Sequence, residues 1–324
     1  MLVITALLAH ALLLGGPLSR RLAGARWVSR RPRAALRLWH ASALGLLASV
    51  TTALVLTAHD LWEHGVVWLF HADKPRIHAV YGGAWQARGI ADAALLVLFL
   101  GAAVLSATAV RRSVRVYRER ERHRLTADAQ GVYGREGDGV PVRVLSHAAP
   151  AAFCIPGAGS RSRIVVTTAA RDLLSPDQLA ATLEHERAHL RLRHHHAILA
   201  ADVVTAALGW TGLLRPYADQ VRRLAEMAAD DRAAHKYGRR TVASALLEMC
   251  SAPAVPPPAA SGTLAMTGPD PAERIRRLIS APSGAGSPLV GALAWAATAT
   301  ALALPMVLAL GPALLLANTA HLGG

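Results

Sequence analysis

Hydrophobic positions in this chain form long uninterrupted runs, which alternate with stretches where apolar and polar residues follow helix or strand periods. Four runs predict membrane spans, because a bilayer core of roughly 30 Å needs about 20 apolar residues in a helix. They cover residues 2–18, 38–58, 90–110 and 289–317. The last run contains Pro305 and Pro312, and a kink is expected there because each proline removes a backbone donor.

The first run is short enough to be confused with a secretory signal peptide. Its basic residues follow the apolar stretch instead of preceding it, and no small-residue cleavage site comes after it. We therefore interpret it as an uncleaved first span, which gives residues 1–110 three spans and makes them a membrane domain.

Lysine and arginine are distributed unequally among the segments that connect these spans. Arginines are dense in 20–37 and in 111–124, the segment between spans two and three has few basic residues, and no Lys or Arg follows the fourth span. Because basic segments stay on the cytoplasmic side, the pattern predicts a multi-pass cell-membrane protein. Its N-terminus and C-terminus would lie outside the cell, and residues 111–288 would lie in the cytoplasm.

Composition favours the lipid bilayer over nucleic acid as a partner. Hydrophobic residues make up 53% of the chain and charged residues 17%, with a formal net charge of +14. A basic excess can indicate nucleic-acid binding. Here the basic residues flank apolar runs, aromatic residues are only 5%, and no helix-turn-helix, RNA-binding sheet or zinc-finger spacing is visible. We expect no direct nucleic-acid binding.

Residues 111–252 change to a mixed pattern that predicts a separate cytoplasmic domain. Alternating β-branched residues predict strands at 140–145 and 163–168, and a Gly/Pro/Ser-rich loop or hairpin at 154–162. Ser175, Pro176 and Gln178 are typical of a helix start, with a cap, a first-turn proline and a capping box.

Three more helices are predicted after this one, at 217–236, 241–250 and 271–279. Residues 253–288 are expected to be a stiff Pro-rich linker that ends in the last of these helices, a short basic one before the fourth span, 289–317.

The chemistry is concentrated in the string His185-Glu186-Arg187-Ala188-His189. Residues four apart share one face of a helix, so both imidazoles can reach one zinc ion at about 2.0–2.1 Å. Glu186 lies one step round the helix, where it can hold a water as general base without occupying the metal. The pattern predicts a catalytic zinc site that needs one more protein ligand.

Glu226, on the next predicted helix, is the candidate third ligand. Asp230 lies one turn further on the same face and can accept the free ring N–H of a ligand histidine, whereas Asp231 points about 100° away. The alternative is an ordinary amphipathic helix with solvated His and Glu. The capped helix and the small residues that permit close packing favour the metal site: Ala228, Ala229, Ala233 and Ala234.

Three strings carry a family resemblance: Arg163-Ile-Val-Val-Thr-Thr, the stretch 174–190, and Glu226-Met-Ala-Ala-Asp230. They resemble integral-membrane metallopeptidases of the BlaR/MecR type, which sense beta-lactams and cleave a cytoplasmic repressor, and are similar to the membrane heat-shock and CAAX-prenyl endopeptidases. The resemblance implies the same zinc ligands, base and supporting aspartate. Those receptors carry a penicillin-binding sensor domain after the last span, and none is expected here, since the chain ends at Gly324.

The expected fold is mainly α, a multi-span helical membrane protein with a cytoplasmic gluzincin-like α+β zinc-peptidase domain at 111–252. The expected function is a zinc endopeptidase acting on a protein or peptide at the cytoplasmic face, in regulation (with a transcriptional repressor as substrate) or in quality control. An extended substrate is expected to add to strand 163–168. No residue is assigned to the oxyanion, for which His235 and Tyr237 are weak candidates.

Two other functions compete with this one. The chain could be a non-catalytic membrane signal receptor with a structural metal site, or a His-rich metal sensor or carrier. Bound zinc, with proteolysis abolished by a chelator, separates the enzyme from the receptor. The capped H-E-x-x-H helix with a single acidic partner suits a three-ligand catalytic site better than a carrier.

The apolar run 197–214 separates the two halves of the predicted site. A full crossing would place the histidines and Glu226 on opposite sides of the membrane, so we expect this segment to pack against the bundle or to dip in and return.

Two sets of residues are interpreted as structural. Cys154 and Cys250 are expected to be buried free thiols, and the triplet 194–196 and the histidines between 59 and 78 are expected to be interfacial or solvated.

Overall fold

The computed structural model describes residues 2–58, 88–134, 140–252, 264–265, 270–280 and 288–322. The histidine-containing stretch 59–87 and most of the predicted Pro-rich linker lie outside these residues. The helices, in chain order, are α1 (Leu2–Leu13), α2 (Ser19–Gly24), α3 (Arg26–Arg30), α4 (Pro32–Thr57), α5 (Arg88–Gln130), α6 (Thr168–Leu173), α7 (Pro176–Arg191), α8 (His194–Leu208), α9 (Tyr217–Tyr237), α10 (Arg239–Ser251), α11 (Pro271–Ser280) and α12 (Pro288–Leu322). The strands are β1 (Val132–Gly134), β2 (Val142–Leu145), β3 (Ala152–Ile155), β4 (Arg163–Thr167) and β5 (Leu264–Ala265).

Four stretches of helix in the described part of the chain are long and apolar enough to cross a membrane. They are Leu2–Gly24, Pro32–Thr57, Ile90–Gln130 and Pro288–Pro312, and each overlaps one predicted span. A π-helical turn, Leu14–Leu18, joins α1 to α2. Helix α12 continues as helix through both of its prolines.

Helix α4 packs against both α1 and α12. A buried hydrogen bond of 2.9 Å joins His10 Nδ1 of α1 to Ser49 Oγ of α4. Gly45 lets α12 approach, because a Cβ at that position would meet the backbone carbonyl oxygen of Ala301. Small residues at such a crossing allow apolar helices to come into close contact.

The second part of the molecule is built on a five-stranded sheet with the order β1-β2-β4-β3-β5. Strands β2 and β4 are parallel, and the other pairs are antiparallel. Side chains alternate between two clusters, as a strand period of two requires. Cys154 and Ile164 face a cluster with α7 and α10, while Phe153 and Val165 face Ala127 of α5.

The structure corrects two sequence predictions in this sheet. Cys154 and Ile155, which the sequence predicted as part of a loop, belong to β3. All side chains of β3 are small or apolar, so its sequence lacks the alternation of polar and apolar residues that predicts a strand. Strand β4, the predicted substrate-binding strand, lies between β2 and β3 and has both edges paired. It therefore has no free backbone groups to offer a substrate.

The segment 197–214 packs against neighbouring helices and then turns back toward α9. Helix α8 contacts α5 and α9, and Ala201 and Leu214 are buried in the same hydrophobic cluster as α4. The backbone N–H of Leu214 donates to the carbonyl of Gly15 at 2.9 Å. Asp202, the polar interruption in this run, is paired with Arg222 of α9.

The crossing of α4 and α12 can be tested by filling the space at Gly45. Gly45→Leu is expected to destabilise the protein by about 1–3 kcal/mol, the usual cost of overpacking, because the new side chain meets the Ala301 backbone. The measurement is thermal unfolding in detergent. Gly101→Leu is the matched control, since a Cβ at Gly101 meets nothing within 4 Å. Equal melting temperatures for the two variants would contradict the packing.

Candidate metal centre

Helix α7 begins at the predicted cap. The backbone N–H of Ser175 donates to Gln178 Oε1 at 2.9 Å, and the N–H of Gln178 donates to Ser175 Oγ at 3.4 Å, which completes a capping box. Pro176 occupies the first turn. The helix runs unbroken to Arg191, so His185 and His189 project from one face.

Helix α9 crosses α7 and brings Glu226 and Asp230 to those histidines. The contact is close because the intervening side chains are small: Ala225, Ala228, Ala229 and Ala233 are fully buried. Glu226 and Asp230 are one turn apart, and both are buried at the crossing. The structure thus places the four side chains together.

Three ligand atoms converge at this crossing. The Nε2 atoms of His185 and His189 are 3.1 Å apart, and Glu226 places Oε2 3.5 Å from the first and Oε1 3.4 Å from the second. Two ligands of a tetrahedral ion at about 2.0–2.1 Å lie about 3.3–3.4 Å from each other. These side chains therefore fit a single divalent ion, and all three are buried.

The other nitrogen of each histidine has its own neighbour. His185 Nδ1 lies 3.0 Å from Asp230 Oδ1, and His189 Nδ1 lies 3.0 Å from His194 Nδ1. With an ion on Nε2, the remaining ring proton would sit on Nδ1 and face these neighbours. Burial lowers the pKa of His194 to about 3, so its ring is neutral and can accept that proton's hydrogen bond.

Glu186 is fully buried beside this group. Neither carboxylate oxygen has a partner with hydrogen-bond geometry among the described residues, although the thiol of Cys154 on β3 is close enough to interact with it. Burial raises the pKa of Glu186 to about 8. A buried carboxylate without a donor is costly unless a ligand or water serves it, so this group is available to bind one.

Arg274 is the residue that the sequence interpretation missed. It comes from α11, is fully buried, and donates to both oxygens of Asp230, from Nε at 2.8 Å and from Nη2 at 2.7 Å. Its Nη1 lies 3.0 Å from Glu226 Oε2. The only signal in the sequence was an arginine in a short basic helix, which the positive-inside pattern explained equally well.

The charges at the centre depend on one another. Burial alone would raise the pKa of Asp230, but Arg274 and His185 outweigh it and hold that pKa well below its usual range. Burial favours neutral His185, yet its contacts with Asp230 and Glu226 raise its pKa to about 9. A divalent ion would take the place of the His185 Nε2 proton, because metal ligands bind deprotonated.

Several other residues that the sequence analysis considered for the site lie away from the metal group. Asp231 is bonded to Arg277 instead of facing the metal group. His235 is exposed, and Tyr237 packs against the hydrophobic cluster that includes Val142 and Leu246. Of the triplet 194–196, His194 is buried against His189, which differs from the expected interfacial position.

The two cysteines are free thiols, but only one of them has the expected burial. Cys154 is buried, and burial raises the pKa of its thiol. Cys250 is exposed.

Comparison with known proteins gives one match. The sequence model of peptidase family M48 matches residues 116–281, just over half of the chain. The match runs from the part of α5 beyond its apolar stretch through α11, and so it includes every residue of the centre. No curated protein and no solved structure matches.

Replacing Arg274 tests how the centre is held together. Arg274→Met leaves Asp230 and Glu226 buried without their cation, and breaking a buried pair in this way costs about 3–5 kcal/mol. The metal-free variant is expected to unfold at a clearly lower temperature. Added zinc is expected to recover part of the loss, because the ion supplies positive charge to the same carboxylates. Thermal unfolding with a chelator and then with zinc measures both effects.

Arg276→Met is the control for this experiment, since Arg276 is exposed on the same helix. It is expected to unfold like the unaltered protein. A metal-free Arg274→Met protein as stable as Arg276→Met would show that Arg274 does not neutralise the centre.

Proposed function

The chain belongs to peptidase family M48, and we propose that it is a membrane-embedded zinc endopeptidase with His185, His189 and Glu226 as metal ligands and Glu186 as general base. Membership in this family implies a metal-dependent peptidase. The observation that supports the site assignment is the convergence of three buried ligand atoms beside a buried carboxylate that accepts no hydrogen bond of good geometry from the described residues.

Zinc is the ion that suits this donor set. Two imidazole nitrogens and one carboxylate oxygen are the ligands of catalytic zinc sites, which keep a fourth position open. The separations of 3.1–3.5 Å between the donor atoms agree with tetrahedral geometry. Softer thiolate ligands are absent among the described groups that could hold a metal, which argues against a copper or iron–sulfur site.

The bound ion would supply Lewis acidity, which polarises the scissile carbonyl and lowers the pKa of a nearby water. Glu186 accepts the proton of the attacking water and passes it to the departing amine. Burial raises its pKa, which makes it a stronger proton acceptor, and a bound cation would favour the ionised form that accepts the proton. Asp230 and His194 hold the two imidazoles in one tautomer and orientation.

The edge of β3 is the best place for the substrate backbone. Cys154 of β3 interacts with Glu186, and the outer edge of β3 already pairs antiparallel with the short strand β5. Strand addition to a sheet edge is a common way to bind an extended peptide. A substrate would take this position in place of β5, and because the centre is buried, this exchange would also open it.

The cytoplasmic face is proposed for the peptidase part, from the arginines that follow the first and third apolar helices. The same proposal includes the biological role, which is either regulation with a repressor as substrate or quality control. It also includes kinship with the BlaR/MecR type. A receptor with a structural metal would not need a buried carboxylate that accepts no hydrogen bond from the described residues beside its ligands, and this feature of Glu186 favours the enzyme.

The role of Glu186 is tested by changing only its ability to take a proton. Glu186→Gln is expected to keep metal bound and to lower peptide cleavage by about 10²–10⁴-fold, the usual contribution of a general base. Atomic absorption measures the metal content, and a quenched peptide library measures the cleavage rate. Glu248→Gln, at an exposed position of α10, is the control. A fully active Glu186→Gln protein would refute the assignment.

Orientation in the membrane can be read from the chain's own thiols. Cys250 is exposed and Cys154 is buried, so a thiol reagent should label Cys250 and show on which side of the membrane it lies. In intact cells, a membrane-impermeant maleimide is expected to leave the protein unlabelled, and labelling is expected once the membrane is opened. Cys250→Ser should abolish the signal. Labelling of Cys250 in intact cells would place the peptidase part outside.

A further inference from the structure

A cavity of about 460 Å³ lies between the start of α4 and the last turns of α9. Arginines from both elements line it: Arg30, Arg31, Arg33 and Arg37 around the start of α4, and Arg232 of α9. The proposed catalytic mechanism uses none of these residues.

The cavity has an excess of positive charge. Asp231 is the acidic residue in its lining, and Arg277, which does not line the cavity, donates to Asp231 Oδ1 from Nη2 at 2.5 Å. The carboxylate is thus already compensated from outside the lining, and the charges of the lining arginines are left over. An anion that entered the cavity would meet several guanidinium groups and a carboxylate that is already paired.

Arg30 and Arg33 are the lining arginines best placed to receive a ligand. Both are exposed, and their side chains make no hydrogen bond or ion pair with the residues that the structure describes. Arg33 also disfavours a proton on His194, which is a repulsion between like charges. On the opposite wall, Arg232 Nε lies 3.9 Å from Glu184 Oε1, at the limit of an ion pair, so this guanidinium can also turn toward an anion.

The cavity lies where two apolar helices begin. Helices α4 and α12 run parallel, since Arg37 stacks over the ring of Trp295 at 4.6 Å and Gly45 lies against Ala301 further along both helices. Each of the two helices contains a candidate membrane span. They would therefore enter the lipid at the same end, which is the end that carries the cavity. Tryptophan and basic residues are typical of that level in a membrane protein.

Orientation in the membrane explains part of this charge. Arginines near the end of a span set its direction, and this accounts for Arg30 and Arg33 taken singly. It does not account for Arg232 and His235, which line the same cavity from α9, far along the chain from the candidate spans. Helix stability does not explain Arg33 either, because the helix dipole disfavours a cation in the first turn of α4. The convergence of these residues on one cavity therefore favours an anionic ligand.

We propose that this cavity binds the phosphate headgroup of an anionic phospholipid, with Arg30 and Arg33 as its main cations and Arg232 as a third. The proposal rests on the membrane location in the proposed function and is independent of peptidase activity. Phosphate oxygens accept short, charge-assisted hydrogen bonds from guanidinium groups, and basic pockets beside membrane helices suit such headgroups. Arg31 has an interaction of its own and is not needed for the site.

A free phosphate ion is the other source of this chemistry, and the level of the cavity favours the lipid. The exposed ring of Trp295 borders the cavity through Arg37. Acyl chains attached to a headgroup there would have an apolar surface to contact, which a free ion cannot use. The bound headgroup would also join α4 to α9, the helix that carries the proposed third metal ligand, Glu226.

The test uses the full chain with zinc in a nonionic detergent, and native mass spectrometry measures how tightly the first lipid binds. Dioleoyl phosphatidylglycerol is expected to bind at least about 10-fold more tightly than dioleoyl phosphatidylcholine, whose headgroup has no net charge. Arg30→Gln combined with Arg33→Gln is expected to remove this preference. Arg111→Gln combined with Arg112→Gln is the matched control. It removes the same charge from exposed positions just beyond the apolar stretch of α5, outside the cavity, and should keep the preference.

The outcomes separate the headgroup site from its alternatives. Equal affinity for the two lipids, or an equal loss in both double variants, overturns the site. Inorganic phosphate that displaces phosphatidylglycerol at a similar concentration would assign the cavity to a free anion and overturn the lipid proposal. Thermal unfolding checks that the variants are folded. If the cavity double variant does not fold, Arg232→Gln replaces it and is expected to weaken phosphatidylglycerol binding by about 5-fold.

Failure of the headgroup site is distinguishable from failure of the proposed function. Lipid binding is measured without a peptide, so its loss leaves the cleavage experiment with Glu186→Gln untouched. Recovery of the chain from cells in the soluble fraction, without detergent, would contradict the membrane location and overturn both proposals.

Discussion

The metal centre depends on one buried ionic contact, the pairing of Asp230 with Arg274. Two carboxylates from α9 meet two imidazoles at a position with almost no solvent, and such charges are stable there only when they are compensated. Arg274 bonds to Asp230 and also lies 3.0 Å from Glu226. It thereby fixes both Glu226, the proposed third ligand, and Asp230, which lies 3.0 Å from His185. The centre is therefore a product of three helices, although only two of them carry its motif.

This dependence ties the centre to the long apolar helices. Helix α11, which carries Arg274, is held by Arg223 bonding to Glu273 and by Arg277 donating to the carbonyl of Ser29 in α3 at 2.6 Å. Helix α9 packs its other face on α4, where His40 and Tyr217 are joined by a hydrogen bond of 2.5 Å. Both α4 and α11, the helices against which α9 packs, are joined to the apolar part of the molecule. A shift of the apolar helices would therefore move Glu226 relative to the histidines.

Local patterns in the sequence were sufficient for α7 and for the paired histidines. The capping box at Ser175 and the four-residue spacing of His185 and His189 are short-range features, and α7 starts where they predict. Arg274 lies 44 residues beyond Asp230, and no local pattern distinguishes a buried arginine from one facing lipid phosphate. The place of β4 in the centre of the sheet likewise depends on pairing between distant segments, which its own alternation does not reveal.

The buried position of the centre also limits how a substrate can arrive. Glu186 and both histidines have no exposed surface, and in the described structure β5 pairs with the outer edge of β3. A strand of two residues makes few hydrogen bonds, so a longer extended peptide can replace it with a gain in backbone pairing. Binding and opening would then be one event, and the water that hydrolysis needs would reach Glu186 only when a substrate strand is in place.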